Sequence, residues 1–482
     1  MGKVLKGVFW KILERFGVQG IQFILQILLA RILSPEHYGM LSMMIIFTTL
    51  ANVFIQNGFN TALIQNKNVT EEDYSSVFWI SMAIAGVLYG LIFLFAPAIA
   101  VFYEMPEIVS PLRVLALTLF PGALNSIQLA KVSRELDFKK VFYGNVLGML
   151  TSGIASIVVA ILGGGLWALV VQNLLNVTIA CAVMLFSVNW YPRMVCNLHR
   201  VAELFRFGWK LLTASLLDTL ETNAYSLIIG KKFDSGTLGF YNRGDQFPGF
   251  LINAINSTMQ SVLLPAMSAD QDEKEKVKSL AKNSILVTSY IIFPMMAGLA
   301  CVGKPLIRLL LTEKWLPAVP YMQISCFCYA FYTIYVSNLQ AINAVGRSDW
   351  FLKLEIIKKA YSIALLVAAV VFFDTPMAVA MVGAVTAGID LYVNAFPNKK
   401  LIGYSFAEQL RDLVPMFIQT VLMLIVVLLA GKMCEHMGMA DIGILLIQII
   451  TGVLIYLMLS AVVKPYPYRI ILEMVFGKRK EK

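Results

Sequence analysis

Long apolar segments follow one another along the whole of this chain and leave almost no residues for a water-soluble domain. A helix needs about 20 predominantly apolar residues to cross a bilayer, and fourteen such segments can be marked in the sequence. Only 14% of the 482 residues are charged, and the mean hydropathy is +0.74. The sequence therefore predicts an all-α polytopic membrane protein with about fourteen transmembrane helices. The segments cover approximately residues 8–32, 38–64, 77–101, 110–130, 142–162, 166–188, 204–230, 238–266, 284–303, 316–343, 351–373, 377–396, 413–431 and 442–463.

The basic residues indicate how these segments cross the membrane. Lys and Arg collect in cytoplasmic loops, and with a cytoplasmic N terminus most of the 39 basic residues fall on the inner side. The richest inner stretches are 131–140, 193–210, 274–282 and 478–482. We predict a multi-pass protein of the cytoplasmic (inner) membrane with both termini in the cytoplasm. This topology accounts for the net charge of +10, so no nucleic-acid partner is expected.

The cysteines and histidines do not form the pattern of a metal or catalytic site. The six cysteines are scattered through apolar segments and short loops without a CxxC motif, and the three histidines fall at predicted loops or helix ends. Zinc sites need Cys or His ligands at short, regular spacings. We therefore expect no metal, no cofactor and no enzymatic activity.

The first apolar segment carries a stripe of polar side chains. Lys11, Arg15, Gln19, Gln22 and Gln26 are four, four, three and four residues apart, which places them on one face of a helix. A Lys or Arg at the lipid-facing centre of a helix costs about 2.5–3.5 kcal/mol. The stripe is therefore expected to line a wet cavity, where its cations would bind an anionic ligand and Arg15 would hold a phosphate.

An alternative explanation of this stripe needs no ligand. Lys11 could extend its ammonium group to the inner interface, and Glu14 could form a structural ion pair with Arg15. The three glutamines continue the stripe deeper into the segment, and this favours the cavity interpretation.

The two halves of the chain resemble each other. At an offset of 200 residues, LARILSPEHYG (29–39) aligns with IGKKFDSGTLG (229–239). At an offset of 212, LDFKK (136–140) aligns with SDWFL (348–352). The matches indicate two copies of one six-helix unit. The polar positions of the first segment align with a second stripe in the seventh, formed by Ser215, Thr219, Thr222 and Ser226.

Parallel six-helix repeats are a known transporter architecture. We predict an N-terminal lobe of spans 1–6 (1–190), a C-terminal lobe of spans 7–12 preceded by a basic cytoplasmic linker (191–400), and two additional spans with a basic tail (401–482). The lobes are expected to be related by pseudo-two-fold symmetry and to enclose a central water-accessible cleft.

Three carboxylates inside apolar segments are candidates for ion coupling. Asp218 and Glu221 are three residues apart and share one helical face of the seventh segment. Two close carboxylates in a low dielectric compete for charge, which suits a proton or sodium site. Alternatively, they pair with Lys210 or with basic residues elsewhere. Asp390 in the twelfth segment has no evident partner in the sequence and is the third candidate.

Two further groups of charges could contact a ligand. In FYNRGDQFPGF, Arg243 and Asp245 are placed one to two turns below the outer surface, and the neighbouring glycines and Pro248 would loosen the helix. A gate, a ligand contact or a local ion pair are the possible roles. Lys358, at the inner end of the eleventh segment, would extend a basic vestibule, although Glu355 and Lys359 have the spacing of an ordinary helical ion pair.

The sequence resembles a known group of transporters. The motifs that carry the resemblance are LARILSPEHYG (29–39), NGFNTALIQ (57–65), RELDFKK (134–140) and LGFYNRGDQFP (238–248). They are similar to the polysaccharide-transport branch of the multidrug/oligosaccharidyl-lipid/polysaccharide (MOP) exporter superfamily, particularly to Wzx-type flippases of colanic and teichuronic acid clusters. The resemblance extends over essentially the whole chain.

This resemblance implies a lipid-linked oligosaccharide flippase. Its substrate would be an undecaprenyl-pyrophosphate-linked oligosaccharide, moved from the cytoplasmic to the outer leaflet by alternating access, with proton or sodium coupling as an open question. Arg15 lies where related flippases keep cavity cations in the first helix. Membrane lipids would surround the protein, and a polysaccharide polymerase and other envelope-assembly proteins are candidate partners.

Other functions fit less well. A cation-coupled exporter of drugs or small amphiphiles on the same fold is the main alternative, although the basic stripe would repel cationic drugs. A membrane-embedded polymerase or ligase would need a sizeable outer loop with catalytic residues, and the predicted outer loops are short. A purely structural protein would have no need of the charged stripe.

Overall fold

The protein is almost entirely helical over the part of the chain that the computed structural model describes, residues 2–56, 60–65 and 69–476. Short 3₁₀ turns occur at Pro106–Ile108, Ala116–Thr118 and Glu313–Ala318. The helices are α1 (Gly2–Ile32), α2 (Pro35–Gln56), α3 (Asn60–Gln65), α4 (Glu71–Tyr103), α5 (Val109–Leu115), α6 (Leu119–Glu135), α7 (Phe138–Ile161), α8 (Leu166–Val188), α9 (Leu198–Lys232), α10 (Ser235–Ala269), α11 (Lys274–Leu311), α12 (Val319–Ala330), α13 (Tyr332–Ala344), α14 (Ser348–Phe372), α15 (Pro376–Ala395), α16 (Asn398–Leu401), α17 (Phe406–His436), α18 (Asp441–Val463) and α19 (Tyr466–Phe476).

The all-α membrane fold predicted from the sequence is confirmed. Within the described residues, nine helical segments are long and apolar enough to cross a membrane. The long helices outside this set include α1, α9, α10 and α14, which carry most of the predicted functional charges and amides. Polar side chains lower the hydropathy of these helices, so the total of fourteen spans stays a prediction.

Some helices begin or end where a specific side chain satisfies the backbone. Before α4, the Thr70 hydroxyl accepts a hydrogen bond from the Asp73 amide, and the Asp73 carboxylate accepts one from the Thr70 amide. This reciprocal cap pairs two amides that the helix cannot pair itself. Predicted segment 316–343 contains a break: α12 ends at Ala330 and α13 begins at Tyr332.

The chain divides into two compact units, Met1–Gly239 and Phe240–Lys482. In the first unit, Tyr74 and Phe78 of α4 pack with Trp190 and with Leu204 of α9. In the second unit, the core is built around α11, where Tyr290 contacts Tyr456 of α18. The predicted lobe boundaries at residues 190 and 400 come from the sequence repeats and stay a prediction.

Candidate functional site

One face of α1 packs on α7. The Trp10 ring lies 5.4 Å from that of Phe142, and the Asn145 amide donates a hydrogen bond of 2.9 Å to the Glu14 carboxylate. Further along, Leu25 fills the space beside Gly153. Glu14 is thus held by an amide of the neighbouring helix, a partner that the sequence did not indicate.

The polar stripe of α1 points away from this packed face. At 3.6 residues per turn, Gln19, Gln22 and Gln26 lie roughly 120° around the helix from the side that contacts α7. Gln22 is exposed, and the other two are partly buried. The backbones of Lys11 and Arg15 continue the helix, but their side chains lie outside the described residues. The described part of the stripe therefore has the orientation that a cavity lining requires.

The second stripe lies on α9 of the same unit. Asp218 is exposed, Glu221 is partly buried, and the Thr222 hydroxyl donates to the Asp218 backbone carbonyl at 2.9 Å. Both carboxylates take part in polar interactions. The side chain of Lys210, their predicted alternative partner, lies outside the described residues. The choice between ion coupling and structural pairing therefore stays open.

Arg243 is buried in the second unit. It is only 5% exposed, its guanidinium carbon lies 5.3 Å from the centre of the Trp315 ring, and it donates a hydrogen bond to Gln246. A cation over an indole ring gains electrostatic stabilisation where water is excluded. Arg243 therefore has a stacking partner inside its own unit.

The predicted loosening of α10 near Pro248 stays a prediction. The helix continues from Ser235 to Ala269 through Pro248. Gly244 lets α10 approach α12 closely, because a Cβ there would lie 2.7 Å from the Ala318 carbonyl oxygen. The glycine serves packing between helices.

Asp245 has surroundings that its position in the sequence did not indicate. Its carboxylate accepts a hydrogen bond of 2.8 Å from the Ser325 hydroxyl and one of 3.3 Å from the Tyr329 hydroxyl. Within the described ranges, no Lys, Arg or His forms an ion pair with it. A partly buried carboxylate whose described partners are two hydroxyl groups is costly in its charged form and is a natural place for a proton or a bound cation. The sequence did not indicate that the hydroxyls of α12 lie next to Asp245, because this proximity depends on how α12 packs on α10.

The charges of α14 and α15 have partners. Lys358 forms an ion pair of 2.5 Å with Glu355, three residues earlier. The Tyr361 hydroxyl donates a hydrogen bond to Asp390. No partner of Asp390 was evident in the sequence, because Tyr361 is 29 residues away and reaches it only through the packing of α14 on α15.

The segment that joins the two sequence repeats is attached to α4. The Trp190 indole donates to Glu71 at 2.7 Å, and Lys131 of α6 pairs with the same carboxylate at 2.9 Å. The Ser75 hydroxyl accepts from the Arg193 amide at 3.0 Å, and the Trp79 indole donates to the Arg193 carbonyl at 2.8 Å. We call residues 189–197 the linker strap.

An apolar groove runs between helices of the second unit. Its volume is about 450 Å³, and α10, α11, α17 and α18 all contribute to its wall. The lining residues are Leu251, Pro294, Met295, Gly298, Leu299, Val302, Met423, Val427, Gln448, Ile449, Gly452, Val453, Tyr456 and Leu457. Such a groove suits a hydrocarbon chain. We call it the lateral groove.

No cluster of three or more His, Cys, Asp or Glu side chains that could hold a metal ion occurs in the part of the chain that was described.

Comparison with models of known protein families shows which family the chain belongs to. The model of the family described as "Polysaccharide biosynthesis protein" matches residues 28–320. The chain belongs to this family. Two relatives are similar to this chain over almost its whole length. The succinoglycan biosynthesis transport protein ExoT of Rhizobium meliloti is 23% identical over 93% of this chain and 90% of ExoT. The teichuronic acid biosynthesis protein TuaB of Bacillus subtilis is 24% identical over 96% of both chains.

Solved structures agree with the fold. The inward closed conformation of the lipid II flippase MurJ matches with a TM-score of 0.76 at 16% identity, over 96% of this chain and 100% of that chain. An inward-facing MATE family transporter of the MOP superfamily matches with a TM-score of 0.63 at 14% identity, over 80% of this chain and 95% of that one. The family member described here is therefore a multi-pass membrane protein with a MurJ-like and MATE-like fold, as the sequence motifs indicated.

Proposed function

We propose that this protein is a flippase that moves an undecaprenyl-pyrophosphate-linked oligosaccharide from the inner to the outer leaflet of the cytoplasmic membrane by alternating access. The observation that carries the proposal is the polar stripe of α1, a helix that the sequence predicts to cross the membrane and whose exposed Gln22 is turned away from the α7 contact. A charged headgroup cannot cross hydrocarbon unaided, and a polar path lowers that barrier. ExoT and TuaB, which are named for polysaccharide transport and biosynthesis, support this substrate class.

The lateral groove is proposed to hold part of the prenyl chain while the headgroup crosses. Its wall is almost wholly apolar, with Gln448 as the polar exception, and two of its helices, α17 and α18, are long and apolar enough to cross a membrane. A prenyl chain is a hydrocarbon, so a groove that binds it needs to supply van der Waals contacts and no hydrogen bonds. An ordinary membrane acyl chain is the competing occupant, and a test with tails of different length separates the two.

Ion coupling is proposed to involve carboxylates within helices α9, α10 and α15. Asp218, Glu221 and Asp390 are the candidates from sequence, and the geometry adds Asp245, which accepts hydrogen bonds from two hydroxyl groups and forms no ion pair with any side chain that the structure describes. The same carboxylate supports the second candidate function, cation-coupled export of a small amphiphile on this fold. The basic residues of α1 favour an anionic substrate over a cationic drug.

The proposed cellular setting follows from the substrate. The inner membrane is where polyprenyl-linked units are assembled, and the basic inner loops support cytoplasmic termini. Enzymatic activity is not part of the proposal, and a polysaccharide polymerase would act on the product after translocation.

Reconstitution into liposomes with a fluorescent lipid-linked oligosaccharide tests this function. Transfer between leaflets is measured by chemical quenching of the outer leaflet for wild type, Arg15→Ala and Gln22→Leu. Loss of one charge-assisted contact in a desolvated site is worth about 1.5–3 kcal/mol, so Arg15→Ala is expected to slow transfer by about tenfold or more. Ile24→Ala, an exposed apolar position on the same helix, is the control and should transfer at the wild-type rate.

The outcomes separate the candidate functions. Equal rates for wild type and Arg15→Ala would remove Arg15 from the mechanism. No transfer by wild type, together with gradient-driven efflux of a small amphiphile, would favour the exporter.

A further inference from the structure

A second cavity of the second unit opens among three loops and shares no lining residue with the lateral groove. Its volume is about 1090 Å³. The loops connect α10 to α11, α13 to α14, and α15 to α17. We call this cavity the basic cleft. Its lining residues are Gln271, Asp272, Lys274, Val345, Arg347, Trp350, Phe396, Pro397, Lys399, Lys400 and Leu401.

The wall of the basic cleft is strongly cationic. Lys274, Arg347, Lys399 and Lys400 contribute four positive charges and Asp272 one negative charge, which leaves a formal charge of +3. All five side chains are exposed. Clustered like charges repel each other and raise the local concentration of a counter-ion, so this arrangement favours an anionic ligand.

Arg347 is held in place beside the cleft. Its Nε and Nη2 atoms donate to the two carboxylate oxygens of Asp349, both at 2.8 Å. This guanidinium lowers the pKa of Asp349 to about 2, so the pair is ionised at any physiological pH. The pair uses two of the five guanidinium N–H donors, and the remaining three are available for a phosphate oxygen.

Aromatic rings line the same cleft. The rings of Trp350 and Phe396 are 6.5 Å apart at an angle of 55°, and the Lys353 ammonium lies 5.7 Å from the Trp350 ring. Phe396 is 54% exposed. Aromatic side chains next to lysines are typical of the level at which lipid headgroups meet water. The three loops also share the inner side of the predicted topology, where anionic lipids supply the negative surface potential.

From this arrangement we infer that the basic cleft binds the phosphate headgroup of an anionic phospholipid of the cytoplasmic leaflet. The lysines and Arg347 would contact the phosphodiester, and Trp350 and Phe396 would lie against the glycerol and upper acyl region. The cleft contains no residue of the polar stripe of α1, and the inference does not depend on which molecule the protein transports.

The test uses the full-length protein purified in a neutral detergent and titrated with phosphatidylglycerol. Retained lipid is counted by native mass spectrometry, and affinity is measured by quenching of tryptophan fluorescence with a headgroup-labelled phosphatidylglycerol. Lys399→Gln/Lys400→Gln should weaken binding about thirtyfold and remove one retained lipid, since each basic residue near an anionic surface contributes about tenfold or less. Lys464→Gln/Arg469→Gln removes two exposed charges of the predicted inner side outside the cleft and should bind as wild type does. Trp350→Phe should abolish the quenching signal without changing the retained lipid.

Three results would overturn the inference. Equal loss of lipid in the Lys399/Lys400 and Lys464/Arg469 variants would show a diffuse charge effect. Equal retention of phosphatidylcholine would show that the phosphate charge is not recognised. Displacement of phosphatidylglycerol by millimolar or lower inorganic pyrophosphate would assign the cleft to a diphosphate ligand instead of a phospholipid.

Discussion

Gly39 lies against the backbone carbonyl of Ser235, so closely that a Cβ at Gly39 would overlap the carbonyl oxygen. At the repeat offset of 200, Gly39 corresponds to Gly239 and Pro35 corresponds to Ser235. Gly239 lies in the same way against the Pro35 carbonyl, so the two contacts are reciprocal. Both contacts are inside the first compact unit. Reciprocal contacts of this kind are the local signature of two-fold symmetry. The repeat seen in the sequence thus has a counterpart in the packing of α2 and α10.

Gly39→Ala should destabilise the protein by about 2 kcal/mol or more, because the overlapping partner is a backbone carbonyl that cannot rotate away. The measurement is the midpoint of thermal unfolding in detergent, and Gly239→Ala should give a similar decrease. Gly20→Ala is the control, since its Cβ would meet nothing within 4 Å. A Gly39→Ala midpoint equal to that of Gly20→Ala would contradict the close contact.

Glu71→Gln should release the linker strap. The substitution weakens the hydrogen bond from Trp190 and removes the ion pair with Lys131, and we expect a loss of about 1 kcal/mol because Glu71 is partly exposed. Trypsin cleavage after Arg193 should become several-fold faster, since the amide and carbonyl of Arg193 are held by Ser75 and Trp79 in the intact strap.

Glu72→Gln is the matched control for the strap, because Glu72 is the exposed neighbour. Its cleavage rate should stay at the wild-type value and its stability within about 0.5 kcal/mol. Cleavage at equal rates in both variants would show that Glu71 does not hold the strap.

Asp245→Asn should abolish any dependence of transport on a proton or sodium gradient. The amide keeps the shape of the side chain and removes the charge that a proton or cation would neutralise. Protein stability should stay constant or rise, because the substitution removes a partly buried charge whose described partners are two hydroxyl groups. The measurement is transport in liposomes with and without an imposed gradient.

The Asp245→Asn variant is compared with Asp218→Asn/Glu221→Gln and with Asp390→Asn, because the sequence indicated Asp218, Glu221 and Asp390 as candidates for ion coupling. Asp441→Asn breaks the 3.0 Å pair with Arg308 and serves as the control, which should keep gradient dependence. Gradient dependence that persists in Asp245→Asn and disappears in another variant would move the coupling site to that residue.

Gly298→Leu should narrow the lateral groove without disturbing the surrounding helices. A Cβ at Gly298 would meet nothing within 4 Å, so the new side chain extends into open space. The rate of transfer of a substrate with a long prenyl tail should fall by about tenfold. This is the effect expected when one or two methylene groups of the tail lose their contacts with the groove. A short-tailed analogue should be unaffected.

Gly90→Leu is the control for the groove, because a Cβ at Gly90 would also meet nothing within 4 Å and Gly90 belongs to α4, which contributes no lining residue to the groove. The two substrates should be transferred by this variant at wild-type rates. Equal loss for long and short tails in Gly298→Leu would contradict prenyl binding.

The sequence by itself determined the membrane fold class and the family, and it located several of the helical segments. Hydrophobic length and helical periodicity are local properties, so segment 166–188 could be placed to the residue, and the register of Gln19, Gln22 and Gln26 followed from their spacing alone. Only the tertiary structure decided which groups meet across helices. Tyr361 reaches Asp390, Ser325 reaches Asp245 and Asn145 reaches Glu14 because helix packing brings together residues that are 29, 80 and 131 positions apart. Sequence spacing predicts neighbours on one helix, but contacts between helices depend on how small residues such as Gly244 let the backbones approach.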